Sequence, residues 1–206
     1  MTEGSTVAFA ASWATGESRN FTATQTGSVS CSGTGNITVA PASTSTTFDI
    51  TPTHTVAAVS AVETLTLNWT NCLPASNSTT ATGYYTPGTY VPLGFNSVGA
   101  NYGAYLTAPT IPTTVTVGGT GIMGTENLYT DSTEVTSNGR IDVSYVVTAD
   151  TVSTAIVTII NKEYDASSTL FFTELDAWRI TTSGVATRIS TTVQYASGTN
   201  IVWTYN

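Results

Sequence analysis

Cations are almost missing from this chain. Its 206 residues hold one lysine (Lys162), four arginines and one histidine (His54), against 13 Asp and Glu, for a formal net charge of −8. So few cations cannot track a phosphate backbone, which excludes nucleic acid as a partner. An anionic membrane surface is disfavoured for the same reason. No apolar run reaches the ~18 residues of a membrane-spanning helix, so no such span is expected. No charged n-region followed by an apolar h-region opens the chain. That predicts a mature chain, or a protein that never used that route, as a viral structural protein would not.

The same scarcity limits chemistry. Ser-His-Asp or Cys-His catalysis would need His54, which stands in "TPTHTV" at a strand start with no nucleophile elbow nearby. A zinc site lacks ligands. Asp131, Glu134, Asp142 and Asp150 could ligate Ca²⁺ if their loops converged, but no Asp-x-Asp-x-Asp loop is present. Paired acids are the best enzymatic candidates, as in small jelly-roll glycosidases: Glu163 with Asp165, and Glu174 with Asp176. Both pairs read as strand-end residues, and no glycosidase signature flanks them. Lys162 beside Glu163 leaves an isopeptide cross-link open. The expectation is a non-enzymatic protein with no cofactor and no metal.

Helical periodicity is also absent. Strand signals occur throughout, separated by Gly, Pro, Asn and Ser. Thr and Ser make up about a third of the chain. Thr is a β-former with a polar side, so it can make a wet surface without charge. About a dozen strands without helices predict an all-β fold, an immunoglobulin-like or jelly-roll β-sandwich. Asn138-Gly139 predicts a hairpin turn, as do Ser183-Gly184 and Ser197-Gly198. The middle of the chain has no charge from residue 64 to 125 and is rich in Gly, Pro and Tyr. It reads as ordered loops with one or two edge strands. Tyr84, Tyr85, Tyr90, Tyr102 and Tyr105 are candidate interface aromatics there, with sugar stacking and plain loop packing as the other readings.

Cys31 and Cys72 are expected to form a disulfide, which favours an oxidising, extracellular location. Four N-x-[ST] sequons mark Asn20, Asn36, Asn68 and Asn77 as candidate N-glycosylation sites. In three of them Phe21, Ile37 or Trp69 would point inward and leave Asn and Thr on the solvent face.

The first strand is the clearest of all. In "STVAFAASWATG", Val7, Phe9, Ala11 and Trp13 fall on one face. That strand either pairs within its own domain or completes the sheet of a second copy by strand addition. In "ATGES", residues 14–18, Gly16 would supply a hinge. The chain thereby resembles donor-strand pilins, with a short N-terminal alternating strand, a Gly-containing linker and a Thr-rich sandwich. In composition it is nearer to archaeal thread filaments and bundling pili than to bacterial chaperone–usher pilins. The resemblance implies an N-terminal donor strand and hinge over residues 1–18 and a sandwich over 19–206. It implies a head-to-tail homopolymer at the cell surface, serving adhesion or biofilm. The alternatives are a viral capsid, turret or tail jelly roll, and a secreted carbohydrate-binding or adhesin module. Low charge also suits acidic surroundings, where little besides Asp and Glu titrates.

Overall fold

A computed structural model describes residues 2–4 and 13–206 of the chain, with side chains from Trp13 onward. The fold is all-β. Its strands are β1 (Thr2–Gly4), β2 (Glu17–Thr26), β3 (Cys31–Val39), β4 (Thr44–Thr51), β5 (His54–Trp69), β6 (Ser76–Tyr85), β7 (Pro92–Asn96) and β8 (Tyr102–Ala104). They continue with β9 (Thr114–Thr116), β10 (Thr120–Tyr129), β11 (Ser137–Ala149), β12 (Thr154–Tyr164), β13 (Leu170–Thr181), β14 (Ala186–Tyr195) and β15 (Asn200–Tyr205).

The strands close into an antiparallel barrel of 12 members, where two packed sheets were expected. Two pairings make the closure. The last strand, β15, bonds to β2, and β3 bonds to the second half of β5. Strand alternation is the same in a sandwich and a barrel, because each buries one face. Only the long-range pairings differ, and alternation does not encode them.

Along β2, Phe21 and Ala23 face inward and are buried, while Ser18, Asn20, Thr22, Thr24 and Thr26 face solvent. The outer face satisfies itself with cross-strand polar pairs: Ser18 with Thr38 at 3.4 Å, Thr64 with Thr80 at 3.5 Å, and Thr66 with Ser78 at 3.4 Å. That is how a wall with so few ions stays wet. Inside, Phe21, Ala23, Ile37, Leu67 and Tyr205 pack together, and Val115, Val147, Ala155, Val157, Trp178 and Ile180 form a second cluster. Each fully buried apolar side chain contributes about 1.5–3 kcal/mol. Val115 belongs to β9, so the segment between β8 and β10 packs into the barrel interior. A smaller core uses the other face of β5. There β4 lies along residues 54–60 and sets Phe48 against Ala58, Leu93, Tyr102 and Ala104.

Several local expectations change. Asn138-Gly139 is not the hairpin turn. The chain reverses at residues 131–136, where Asp131 accepts from the Thr133 amide at 2.9 Å, and Gly139 already pairs with Leu128. The extra residue shifts the register there, and Gly139 takes φ +123°, the mark of a bulge. Ser183-Gly184 and Ser197-Gly198 do turn, with positive φ at each glycine. The middle segment supplies β7 and β8, both short and both members of the barrel wall, with Pro92 as the first residue of its strand. Because β2 begins at Glu17, residues 17 and 18 belong to the barrel and not to a hinge.

Candidate functional site

Of the donor-strand residues, Val7, Phe9 and Ala11 lie outside the described residues. Trp13 is described, in a single helical turn at residues 13–15. Its carbonyl accepts from the Ala42 amide at 2.8 Å, and its ring lies 4.9 Å from that of Tyr85. It packs against Val39, Ala42 and Ala61 on one side and the Trp178 cluster on the other. Trp13 is therefore an anchor in its own barrel, which corrects its place in the donor set. Gly16 fixes the turn that follows. Its φ is +71°, and a Cβ there would stand 2.6 Å from the Val39 carbonyl oxygen.

Beneath Trp13 the barrel interior is polar. A cavity of about 320 Å³ lies between Glu63, Leu65, Ile37 and Tyr85 on one wall and Glu174, Asp176, Arg188, Thr191 and Trp203 on the other. A second space of about 180 Å³ shares Trp13, Asp176 and Arg188 with it. Strand alternation places the acids: Glu174 and Asp176 are two apart on β13, Glu17 and Glu63 each face Val39 across a ladder. Thr191 donates to Asp176 at 2.6 Å, and the Asn161 amide reaches both Glu174 at 3.3 Å and Asp176 at 3.4 Å.

Arg188 is the cation that lines both spaces, while Arg19 stands 3.7 Å from Glu17 at the layer's margin. The Arg188 Nε stands 3.7 Å from Glu17, and its guanidinium lies over the Trp178 ring at 4.8 Å and the Tyr205 ring at 5.7 Å. Burial opposes its charge, but Asp176, Tyr205, Glu63 and Glu17 together outweigh that and raise its pKa. Burial pushes the Glu174 carboxyl well above the usual range, and the adjoining Asp176 adds to the shift. Burial also raises Glu63, whose carboxylate makes no hydrogen bond among the described residues. Further along the barrel, Glu126 is 7 % exposed and is pushed by burial, and then by Glu163, up to about 8.

The expected acid pairs are thus redistributed. Glu174 and Asp176 lie in mid-strand and point into the barrel, not at a strand end. Asp165 instead caps a turn, accepting from Ser167 and Thr169. Glu63, Glu17, Asn161, Arg188 and Thr191 complete the layer. Nothing local distinguished them, because they come from four strands spread from position 17 to 191. Asp142 pairs with Arg140 and Asp150 with Arg179, and no group of three potential metal ligands occurs among the described residues. His54 and Lys162 are exposed.

On the outer wall, Asn20 and Asn36 face each other across β2 and β3, with the Asn36 amide donating to Asn20 at 2.9 Å. Asn68 follows on β5, and Asn77 is exposed on β6. Phe21 and Ile37 are buried and Trp69 packs against them. Cys31 and Cys72 form a disulfide that ties the start of β3 to the β5–β6 connection. Beside it an open groove of about 570 Å³ is lined by Val29, Trp69, Cys72 and Leu73. The groove ends at Ala75, just before β6, whose residues 76–81 pair with β5 alone among the described residues, since β7 meets β6 only over residues 82–85. Of the tyrosines, Tyr102 and Tyr105 are buried in the chain's own core, Tyr102 donating to the Asp49 carbonyl at 2.6 Å. Neither is available to a partner. Tyr84, Tyr85 and Tyr90 are half-buried, Tyr84 against Phe48 at 4.6 Å.

No helix is long and apolar enough to cross a membrane among the described residues. Comparison with family models, curated proteins and solved structures returned no match.

Proposed function

We propose that the protein is a non-enzymatic, extracellular structural subunit that polymerises head-to-tail by donating its N-terminal strand to the next copy, for adhesion or biofilm. One observation supports this reading: among the described residues, β6 pairs only with β5 over residues 76–81, and that edge begins next to an open groove beside the disulfide. Leu73 and Val29 there are 92 % and 53 % exposed. Edges are normally blunted with Lys, Pro or a covering loop. This one is Ser-Asn-Ser-Thr-Thr-Ala, without charge or proline. An added strand would gain main-chain hydrogen bonds along β6 and place alternate apolar side chains in the groove.

The donor is the stretch before Trp13, with Val7, Phe9 and Ala11 as its apolar face. Trp13 holds the root of that stretch in its own barrel. Such a contact is heterologous and builds open filaments. The disulfide and the outward sequons at Asn20, Asn36 and Asn68 support a secreted, glycosylated chain. The test uses two full-length variants. Phe9→Asp damages the donor and leaves the acceptor; Ser78→Lys with Thr80→Lys does the reverse. Each alone is expected to be monomeric and folded. Mixed, they are expected to form a single-junction dimer and nothing longer. A wild type that stays monomeric at high concentration overturns the reading.

A further inference from the structure

The sequon Asn77-Ser78-Thr79 lies within the exposed edge of β6. The four sequon asparagines are not equivalent in the fold. The Asn36 amide nitrogen is engaged by Ser18, the Arg19 carbonyl and Asn20, at 3.3, 3.1 and 2.9 Å. Asn20 stands directly opposite it, about 5 Å away by strand pairing, which leaves no room for a glycan on both. Asn68 sits in mid-sheet between Thr34 of β3 and Ser76 of β6. Asn77 differs from all three. Over residues 76–81 its strand pairs with β5 on one side and, among the described residues, with no strand on the other. Every residue from Ser76 to Thr80 is exposed, and the Asn77 amide makes no side-chain hydrogen bond among the described residues. Asn77 and Thr79 are two apart on the strand, so the sequon presents its amide and its hydroxyl on one face.

We propose that Asn77 is an N-glycosylation site whose glycan covers the β6 edge and so decides whether a chain can accept a strand. The consequence for assembly rests on the strand-donation reading; the modification itself does not. Open edges are normally blunted by charge, proline or a cover, and residues 76–81 hold neither charge nor proline. The sequon is the one device their sequence offers. In the transfer, Nδ2 of Asn77 bonds to C1 of the first sugar and loses a proton. The bond from that carbon to the phosphate of a lipid-linked oligosaccharide breaks, and the lipid phosphate leaves. The product is a bulky, solubilising group on the edge. An added strand would lie about 4.8 Å from β6 and set alternate side chains on the face that carries Asn77 and Thr79. A glycan rooted at Asn77 occupies that space. The unmodified edge therefore accepts a strand, and the glycosylated edge is closed. A closed subunit can still donate, so it ends a filament.

The full-length wild type is made in two ways, in an oxidising compartment of a host without N-glycosylation and through a glycosylating secretory route. Thr79→Ala, which removes the sequon but keeps Asn77 and an uncharged edge, is made by the second route. Monomer and polymer are separated by size exclusion, and Asn77 occupancy is read in each by peptide mass spectrometry. The unglycosylated chain is expected to polymerise. From the glycosylating route, chains carrying the Asn77 glycan are expected among the monomers, and at no more than one per polymer. Thr79→Ala is expected to lose that monomer pool and polymerise like the unglycosylated chain; Asn77→Gln gives the same readout should Thr79→Ala fold poorly. An Asn77 that stays unmodified by the glycosylating route, or a glycan found along the whole polymer, overturns the proposal. An unglycosylated chain that fails to polymerise overturns the strand-donation reading and with it this role of Asn77. That failure is read on the first preparation alone, so the two are distinct.

Discussion

Glu126 on β10 and Glu163 on β12 occupy one inward row of the barrel, each opposite Ile141 of the strand between them. Burial holds Glu126 up at about 8, and the charge of Glu163 adds to it. Burial raises Glu163 as well. Burial raises Glu63 and Glu174 in the same direction.

The pH dependence of stability follows. A raised folded-state pKa means that the native chain binds more protons than the unfolded one. This stability is fully present below the ordinary Glu value of 4.5 and is lost as pH rises through about 8. For Glu126 alone the change is on the order of 3–5 kcal/mol. Hydrogen bonds hold Asp131, Asp150 and Asp165 below their ordinary value of 3.8, so acid below that point works the other way. Melting temperature is expected to peak near pH 4–5 and fall toward pH 8.5. Glu126→Gln is expected to flatten the alkaline side. A melting temperature that rises from pH 5 to 8.5 contradicts this.

Trp13→Ala tests the anchor. Removing a ring packed between two interior clusters is expected to destabilise the chain by about 2–4 kcal/mol, read by urea unfolding. A change below ~0.5 kcal/mol would show that Trp13 is not held in its own barrel.

Gly35 allows β2, β3 and β5 to close together. A Cβ there would fall 2.2 Å from Cζ of Phe21 and 2.4 Å from the Thr66 carbonyl oxygen. Gly35→Ala is expected to lose more than ~2 kcal/mol or fail to fold. Gly88→Ala, at a turn with open space around it, carries only the strain of its φ of +78° and serves as the control.

The disulfide closes a loop with a sequence separation of 41. Reduction is expected to destabilise the fold by about 3–4 kcal/mol and to lower the melting temperature without changing the far-UV spectrum below the transition. An unchanged melting temperature contradicts that.

Much of the fold was legible because its signals are local. Phe21 and Ile37 alternate with Asn and Thr, and burial follows that alternation. The Ser197-Gly198 turn is written in two adjacent residues. Closure was not legible, because β15 meeting β2 and β3 meeting β5 are pairings between distant segments with the same alternation as any other strand. Asn138-Gly139 misled for a related reason: the dipeptide suits a bulge as well as a turn, and Asp131 with Thr133 took the turn. The interior site was half legible. Glu174 and Asp176 stood out as a pair, but Glu63 and Arg188 join them only through the barrel's curvature.

The central claim is head-to-tail strand donation, and sedimentation velocity with electron microscopy on the mixed variants tests it most directly. The account predicts monomers of Phe9→Asp alone and of the Ser78→Lys, Thr80→Lys variant alone, a dimer on mixing, and filaments only for the wild type. A wild type that remains monomeric at high concentration, or variants that polymerise as well as it does, would contradict it.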